Sequence, residues 1–372
     1  MGPTTPRSRA GCSSPRRPCA TTCRSCSPNF TARPAPKPSP APAEPDSEPP
    51  DEPQRREHDD RTGQPGQRAV AWTPVPDFPA AAPIAPALIA WYRENARDLP
   101  WRRAEYLAAY GAWGVLVSEF MLQQTPVNRV IPHLEAWLER WPDPASLAAA
   151  SGAEVLQQWA NLGYPRRALW LHRAAIAIRD EHGGITPRDV HALLALPGIG
   201  DYTARAVAVF AFGEHHPVVD TNTRRVIARA VHGRPQPDPP SRRDLDDMRA
   251  LLPADPADAA IVNAATMELG ATVCTARSAD CARCPLAGSC AWRAAGFPAG
   301  EDRRRRQAAY EGSDRQARGG VLRALRHAED HRLPAEAVLA DWPDAAQRDR
   351  AIDSLVTDGL IEAEHGLLLL PR

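Results

Sequence analysis

Four cysteines near the end of the chain, Cys274, Cys281, Cys284 and Cys290, stand at the spacing C-x6-C-x2-C-x5-C. Four thiolates in so short a loop reach one centre only if the loop wraps it, and their softness selects an iron-sulfur cluster or zinc over a hard cation. Two carboxylates elsewhere are candidates for acid-base or charge-stabilising work. Glu119 lies within Trp113 to Thr125, where Trp113, Leu116, Val117, Phe120 and Met121 form one helical apolar stripe and the glutamate falls off it. A solvated surface glutamate would read the same way. Asp220 follows Val218 and Val219 and opens a helix, so a plain N-cap accounts for it as well as a chemical role does, and the two are compatible.

These groups need elements to hold them. Leu196-Pro197-Gly198-Ile199-Gly200 separates a helical segment ending near Leu196 from another running from Tyr202 through Ala211. Two glycines in such a turn let backbone N–H groups approach an anion closely, and the second helix adds its positive N-terminal end. A tight helix–helix turn with no ligand uses the same residues. The cysteine loop follows the helical stretch Ile261 to Ala271. From about residue 83 the chain reads as helix after helix, with no sustained period-two alternation before residue 300, which predicts an all-α fold.

Composition bounds the rest. A chain of 372 residues with 43% hydrophobic content can bury two or more cores. Residues 1–75 hold 16 of the 40 prolines and few large apolar side chains, among them Phe30, Val70 and Trp72, so they read as a disordered tail. That tail carries Cys12, Cys19, Cys23 and Cys26 without a framework to fix ligand geometry, and its acid-free start up to Glu44 only loosely imitates a transit peptide. Net charge is zero overall; without the tail's 11 basic and 8 acidic residues, 34 basic and 37 acidic remain. Nucleic-acid binding would therefore rest on local patches and directed backbone amides. No apolar run approaches the roughly 20 residues of a membrane span, which predicts a soluble intracellular protein. Lys37, in the tail, is the only lysine.

The order of glutamate helix, Leu-Pro-Gly-Ile-Gly hairpin, Val-Val-Asp and four-cysteine loop resembles the helix-hairpin-helix DNA glycosylases with an iron-sulfur cluster, and among them the MutY-type adenine glycosylases. The resemblance covers roughly residues 83–300. Its most specific segments are Ser118 to Thr125, Gly163-Tyr164, and Met267 to Ala271 leading into Cys274. It implies two α domains, a six-helix barrel over 108–215 and a cluster domain joining 83–107 to 216–300, with Cys274, Cys281, Cys284 and Cys290 holding a 4Fe-4S cluster. The implied partner is double-stranded DNA containing mispaired adenine, bound by a monomer in the bacterial cytoplasm, associated with the nucleoid.

Cleaving a purine N-glycosidic bond makes an oxocarbenium-like sugar and an electron-rich leaving base, so the reaction needs a proton donor and an anion. The resemblance makes Glu119 the acid that protonates adenine N7 and Asp220 the anion near the sugar, with Tyr202 and Asn222 supporting them. It makes Gln123, Gln124 and Tyr164 the wedge that fills the stack when the base is extruded, and Leu196, Gly198 and Gly200 the DNA-gripping hairpin. Pro165 replaces the family's usual second tyrosine. The implied reaction is monofunctional hydrolysis at adenine opposite 8-oxoguanine or guanine. The nearest rival, the endonuclease III type, attacks the sugar with a lysine two residues after the hairpin's last glycine, where this chain has Tyr202. A non-enzymatic iron-sulfur DNA-binding redox regulator is a further alternative, opposed by the pairing of Glu119 with Asp220.

Residues 303–372 are too short and too helical for the family's common MutT-like domain. Gln316 to Ala328, Pro334 to Trp342 and Asp344 to Thr357 read as helices and Gly359 to Leu370 as a small strand pair, an order that resembles a winged-helix module. Arg303 to Arg306 read either as a phosphate contact or as a solvated linker.

Overall fold

The computed structural model describes residues 84–300 and 309–372. The tail with Cys12, Cys19, Cys23 and Cys26, and the run Arg303 to Arg306, lie outside the described residues.

The described chain begins with α1 (Ile84–Asn95), a 3-10 turn at Pro100–Arg102 and α2 (Ala104–Leu122), which is broken at Gly111 with φ 50°. Next come α3 (Val127–Arg140), α4 (Pro144–Ala148), α5 (Gly152–Trp159) and α6 (Arg166–Glu181). Helices α4 and α5 start from capping boxes built on Asp143 with Ser146 and on Ser151 with Glu154, which satisfy backbone donors at each start. The hairpin pair is α7 (Val190–Ala195) and α8 (Asp201–Phe212), followed by α9 (Thr221–Ala230), α10 (Arg243–Leu251) and α11 (Pro256–Thr272). The cysteine loop then leads to the short α12 (Ala291–Ala294).

Two main apolar clusters organise these elements. One is built largely from α2 to α8, with Trp137 edge-on to Trp141 at 4.7 Å and to Trp159 at 5.5 Å. The other joins Ile84 and Leu88 of α1 to Val226 and Ile227 of α9, Val262 and Leu269 of α11, and Leu286 of the cysteine loop. The chain thus returns from α9 onward to pack against its own first described helix. No described helix is long and apolar enough to cross a membrane.

After residue 308 the structure departs in part from expectation. Helices α13 (Asp314–His327) and α14 (Ala345–Thr357) form as anticipated, but Pro334 to Trp342 is no helix. Its start is taken by β1 (Arg332–Pro334), which pairs antiparallel with β3 (Leu367–Leu369), and β3 pairs with β2 (Glu362–Glu364), giving the order β1-β3-β2. The strand geometry commits the backbone of Leu333 and Pro334 to Leu368 and Leu367, far along the chain, and turns follow. Val321, Leu325, Leu355 and Leu368 are buried in the same cluster as the α2–α8 core.

Candidate active site

Glu119 sits near the end of α2. Every residue from Trp113 to Met121 is buried, so the helix has no solvent face there, and Glu119 is only 5% exposed. The apolar stripe read from the sequence is real, but α8, α3 and α6 all pack against α2 and close the face on which the glutamate lies. Its Oε2 has no hydrogen-bond partner. Burial pushes its carboxyl up from the ordinary 4.5 to about 7; a hydrogen bond with Tyr202 opposes the shift and the charge of Asp220 adds to it. Tyr202, in the first turn of α8, is itself raised well above the usual phenol range, by burial first and then by the two carboxylates. Glu119, Tyr202 and Asp220 therefore share one electrostatic environment.

Asp220 is held differently. It is the N-cap of α9: its Oδ1 accepts from the Thr223 N–H at 2.7 Å, and its Oδ2 accepts from Asn222 Nδ2 at 2.7 Å. The plain capping role is present, as anticipated. The segment leading to it is pinned by Asn263 of α11, fully buried, whose Oδ1 accepts from the Val218 N–H at 2.7 Å and whose Nδ2 donates to the His216 carbonyl at 3.0 Å. Asn222 is fixed in turn by Arg225, whose Nη2 donates to Asn222 Oδ1 and to the Gly270 carbonyl, both at 2.7 Å, while its Nε donates to the Cys274 carbonyl at 2.8 Å. Gly270 is required by that crossing, since a Cβ there would lie 2.7 Å from Asn222 Cβ. Asp220, Asn222, Arg225 and Cys274 form one continuous polar chain.

The hairpin glycines differ. Gly198 has φ 77°, and a Cβ on it would lie 2.6 Å from Trp170 Cβ, so both conformation and packing demand glycine. Gly200 is the N-cap of α8 with φ −97°, extended backbone open to any residue, and a Cβ there meets open space. Its lack of a side chain matters only to something approaching from outside. Leu196 is 3% exposed and plugs the core, so any contact it makes with a ligand must run through its backbone rather than its side chain.

Gln123 is half-buried, Gln124 is exposed in the left-handed region at φ 54°, and Tyr164 is 53% exposed at φ 49°. These two segments are stapled together by Arg167, which is 4% exposed. Its Nη1 donates to the carbonyls of Phe120 at 2.8 Å, Met121 at 3.0 Å and Gln123 at 2.6 Å, and its Nη2 to Thr125 Oγ1 at 2.9 Å and the Gly163 carbonyl at 3.0 Å. The guanidinium also lies 5.2 Å from the Tyr164 ring centroid. Arginine in a helix reads as surface, so the sequence carries no signal for this role. A second unanticipated group is Glu268, 1% exposed, which accepts from Arg97 Nε at 2.6 Å and Nη2 at 2.9 Å and from Arg102 Nη2 at 2.9 Å, tying the start of the described chain to α11. Its place within Met267 to Ala271 was the only hint.

The four cysteines line one small cavity with Val273, Asp280 and Trp292, and all four are free. Among the described residues no three potential ligands stand close enough to chelate an ion as they are placed. The donor set nonetheless suits a soft, thiolate-bound metal centre: four sulfurs line one cavity, and Arg229, whose Nη1 lies 3.3 Å from Cys274 Sγ and whose guanidinium stacks 4.8 Å from the Trp292 ring, would offset thiolate charge.

Residues 117–245 match the HhH-GPD superfamily of base excision DNA repair proteins, the class that this hairpin and carboxylate pair define. The chain is 56% identical over 275 residues to an adenine DNA glycosylase of Mycolicibacterium smegmatis, covering 74% of this chain and 91% of that protein. It is 52% identical over 275 residues to an adenine DNA glycosylase of Mycobacterium tuberculosis, covering 74% and 88%. The chain belongs to the MutY-type adenine DNA glycosylase family. Its fold is also like that of a thermostable thymine-DNA glycosylase, with a TM-score of 0.51 and 24% identity over 57% of this chain and 95% of that one.

Proposed function

We propose that this protein is a monofunctional adenine DNA glycosylase of base excision repair, hydrolysing the N-glycosidic bond of adenine mispaired with 8-oxoguanine or guanine in duplex DNA. The observation that carries the reading is Glu119: a buried carboxyl with one unpartnered oxygen and a pKa near 7, in the electrostatic field of Asp220. Such a group holds its proton in about half the molecules at neutral pH, where an ordinary carboxyl would hold almost none, and can deliver it to adenine N7 as the bond from N9 to the sugar C1′ breaks. Asp220, anchored by its cap and by Asn222, supplies the anion for the oxocarbenium-like sugar, and Tyr202 orients the acid. Water then adds at C1′, and the carboxylate left on Glu119 can take its proton. Since Lys37 is the only lysine, the described residues hold no lysine amine for the strand-cutting chemistry of endonuclease III-type enzymes.

Gln123, Gln124 and Tyr164 would enter the stack as the base leaves, and the Gly198–Gly200 backbone with the start of α8 would grip a phosphate. Cys274, Cys281, Cys284 and Cys290 would hold a 4Fe-4S cluster, whose service is to lock the loop in shape while the Arg225 chain carries that rigidity to Asp220. The two apolar clusters support division into a barrel of 108–215 and a cluster domain of 83–107 with 216–300. The order helix, strand, helix, hairpin with strands β1-β3-β2 supports a winged-helix reading for the C-terminal segment. A monomer in the bacterial cytoplasm, at the nucleoid, fits such a role.

The test is a set of duplexes carrying adenine opposite 8-oxoguanine, guanine and thymine, incubated with the protein and then heated in alkali. Cleavage at adenine opposite the first two is expected. No cleavage at any adenine overturns the activity, and cleavage before alkali overturns its monofunctional form.

A further inference from the structure

Residues 309–372 have no part in the chemistry above, yet several of their polar contacts converge on one place, the turn between α5 and α6 that carries Tyr164. Within that turn Ala160 and Tyr164 both adopt left-handed backbone, at φ 47° and 49°, conformations that non-glycine residues keep only when their surroundings impose them. The Ala160 carbonyl accepts a hydrogen bond from the Arg326 guanidinium of α13. Two residues beyond Tyr164, Arg166 pairs with Asp358 at 3.2 Å, and Asp358 is held from the other side by Arg318 at 2.6 Å. Pro371 sits against the first turn of α5, where a Cβ on Gly152 would lie 2.9 Å from its carbonyl oxygen. Leu162, inside the turn, is buried in the same cluster as Val321, Leu322 and Leu325.

The charge of the segment argues against an independent grip on DNA. It carries 8 arginines against 12 aspartates and glutamates, where a phosphate-reading module needs a basic face. At least five of those arginines, Arg318, Arg326, Arg332, Arg348 and Arg372, already donate within the protein.

We propose that residues 309–372 form an intramolecular brace for the 160–166 turn, with Arg326 and Asp358 as positioning residues that keep Tyr164 preformed for base extrusion. The link to extrusion rests on the wedge role proposed above; the brace itself does not. The experiment uses the full chain with Arg326→Ala, Arg326→Lys and Asp358→Asn. Hydrogen exchange of the DNA-free protein is measured across 160–166. Single-turnover adenine release is followed with 2-aminopurine beside the target adenine to report unstacking. Arg326→Ala and Asp358→Asn should each raise exchange in the turn by about tenfold while exchange in α2 and the thermal midpoint stay in place. The unstacking signal and the release rate should fall by about tenfold with duplex affinity retained, and Arg326→Lys should restore most of both. Unchanged exchange in 160–166 overturns the brace, and raised exchange with wild-type unstacking overturns its link to extrusion. If Arg326→Ala lowers the thermal midpoint, Asp358→Asn, which keeps the side-chain shape, decides. Should the wild-type protein release no adenine from any duplex, the glycosylase reading fails while the DNA-free exchange still decides the brace.

Discussion

The end of α2 and the start of α9 each bring one carboxylate to the site, by opposite physical means. Glu119 is surrounded by packed helices and left with an oxygen that bonds nothing, whereas both oxygens of Asp220 accept N–H bonds from its own helix start. Burial with one oxygen left unpartnered raises a carboxyl's pKa; a cap with partners anchors an acceptor. The contrast teaches that two chemically similar groups are set apart by what packs around them, as the proposed division into acid and anion requires.

The largest effect should come from removing the stored proton. Glu119→Gln should lower single-turnover adenine release by a factor of about a hundred to ten thousand with duplex affinity retained; a variant of near-wild-type rate would show that the acid lies elsewhere. The same group makes a pH prediction. Its folded pKa of about 7 lies above the ordinary 4.5, so the folded state binds the extra proton. The associated stability is fully present below about pH 4.5 and is lost as pH rises through about 7. By pH 8 the wild type should be destabilised by about 3 kcal/mol relative to Glu119→Gln. Urea unfolding of both proteins from pH 5 to 8 should show the gap opening, and adenine release by the wild type should fall along the same limb.

Loosening the anchored side should cost less. Arg225→Ala cuts the chain from Asn222 to Cys274 and should slow adenine release by about tenfold to a hundredfold, the range for groups that orient a site through another residue. Loss of the cysteine loop's protection from hydrogen exchange should accompany it. The smallest effect concerns the hairpin: Gly198→Ala meets both a left-handed backbone and Trp170 and should cost about 1–3 kcal/mol in denaturant unfolding. If Gly200→Ala costs as much, the difference between the two glycines is not structural.

Much of the site was legible because it is local. A cap needs only the residue before a helix, a glycine hairpin only its own turn, and the cysteine spacing only one loop. Glu119 was legible as a position but not as an environment, because its helix shows one apolar stripe and the other faces are closed by α3, α6 and α8. Arg167 and Glu268 were missed for a related reason: a charged side chain reads as solvated until its distant partners are known. The helix expected over Pro334 to Trp342 failed because β3, far along the chain, claims its first residues.

The sequence by itself determined which residues carry donors, acceptors and thiols, where the helices around the two carboxylates start and stop, and that the described residues hold no lysine. Tertiary structure alone decided that the Glu119 carboxyl is desolvated, which arginines are interior fasteners, and that the C-terminal segment packs against the Tyr164 turn. Local periodicity and capping are written in neighbouring residues, but desolvation is set by whatever packs from elsewhere, and desolvation is what raises the Glu119 carboxyl here.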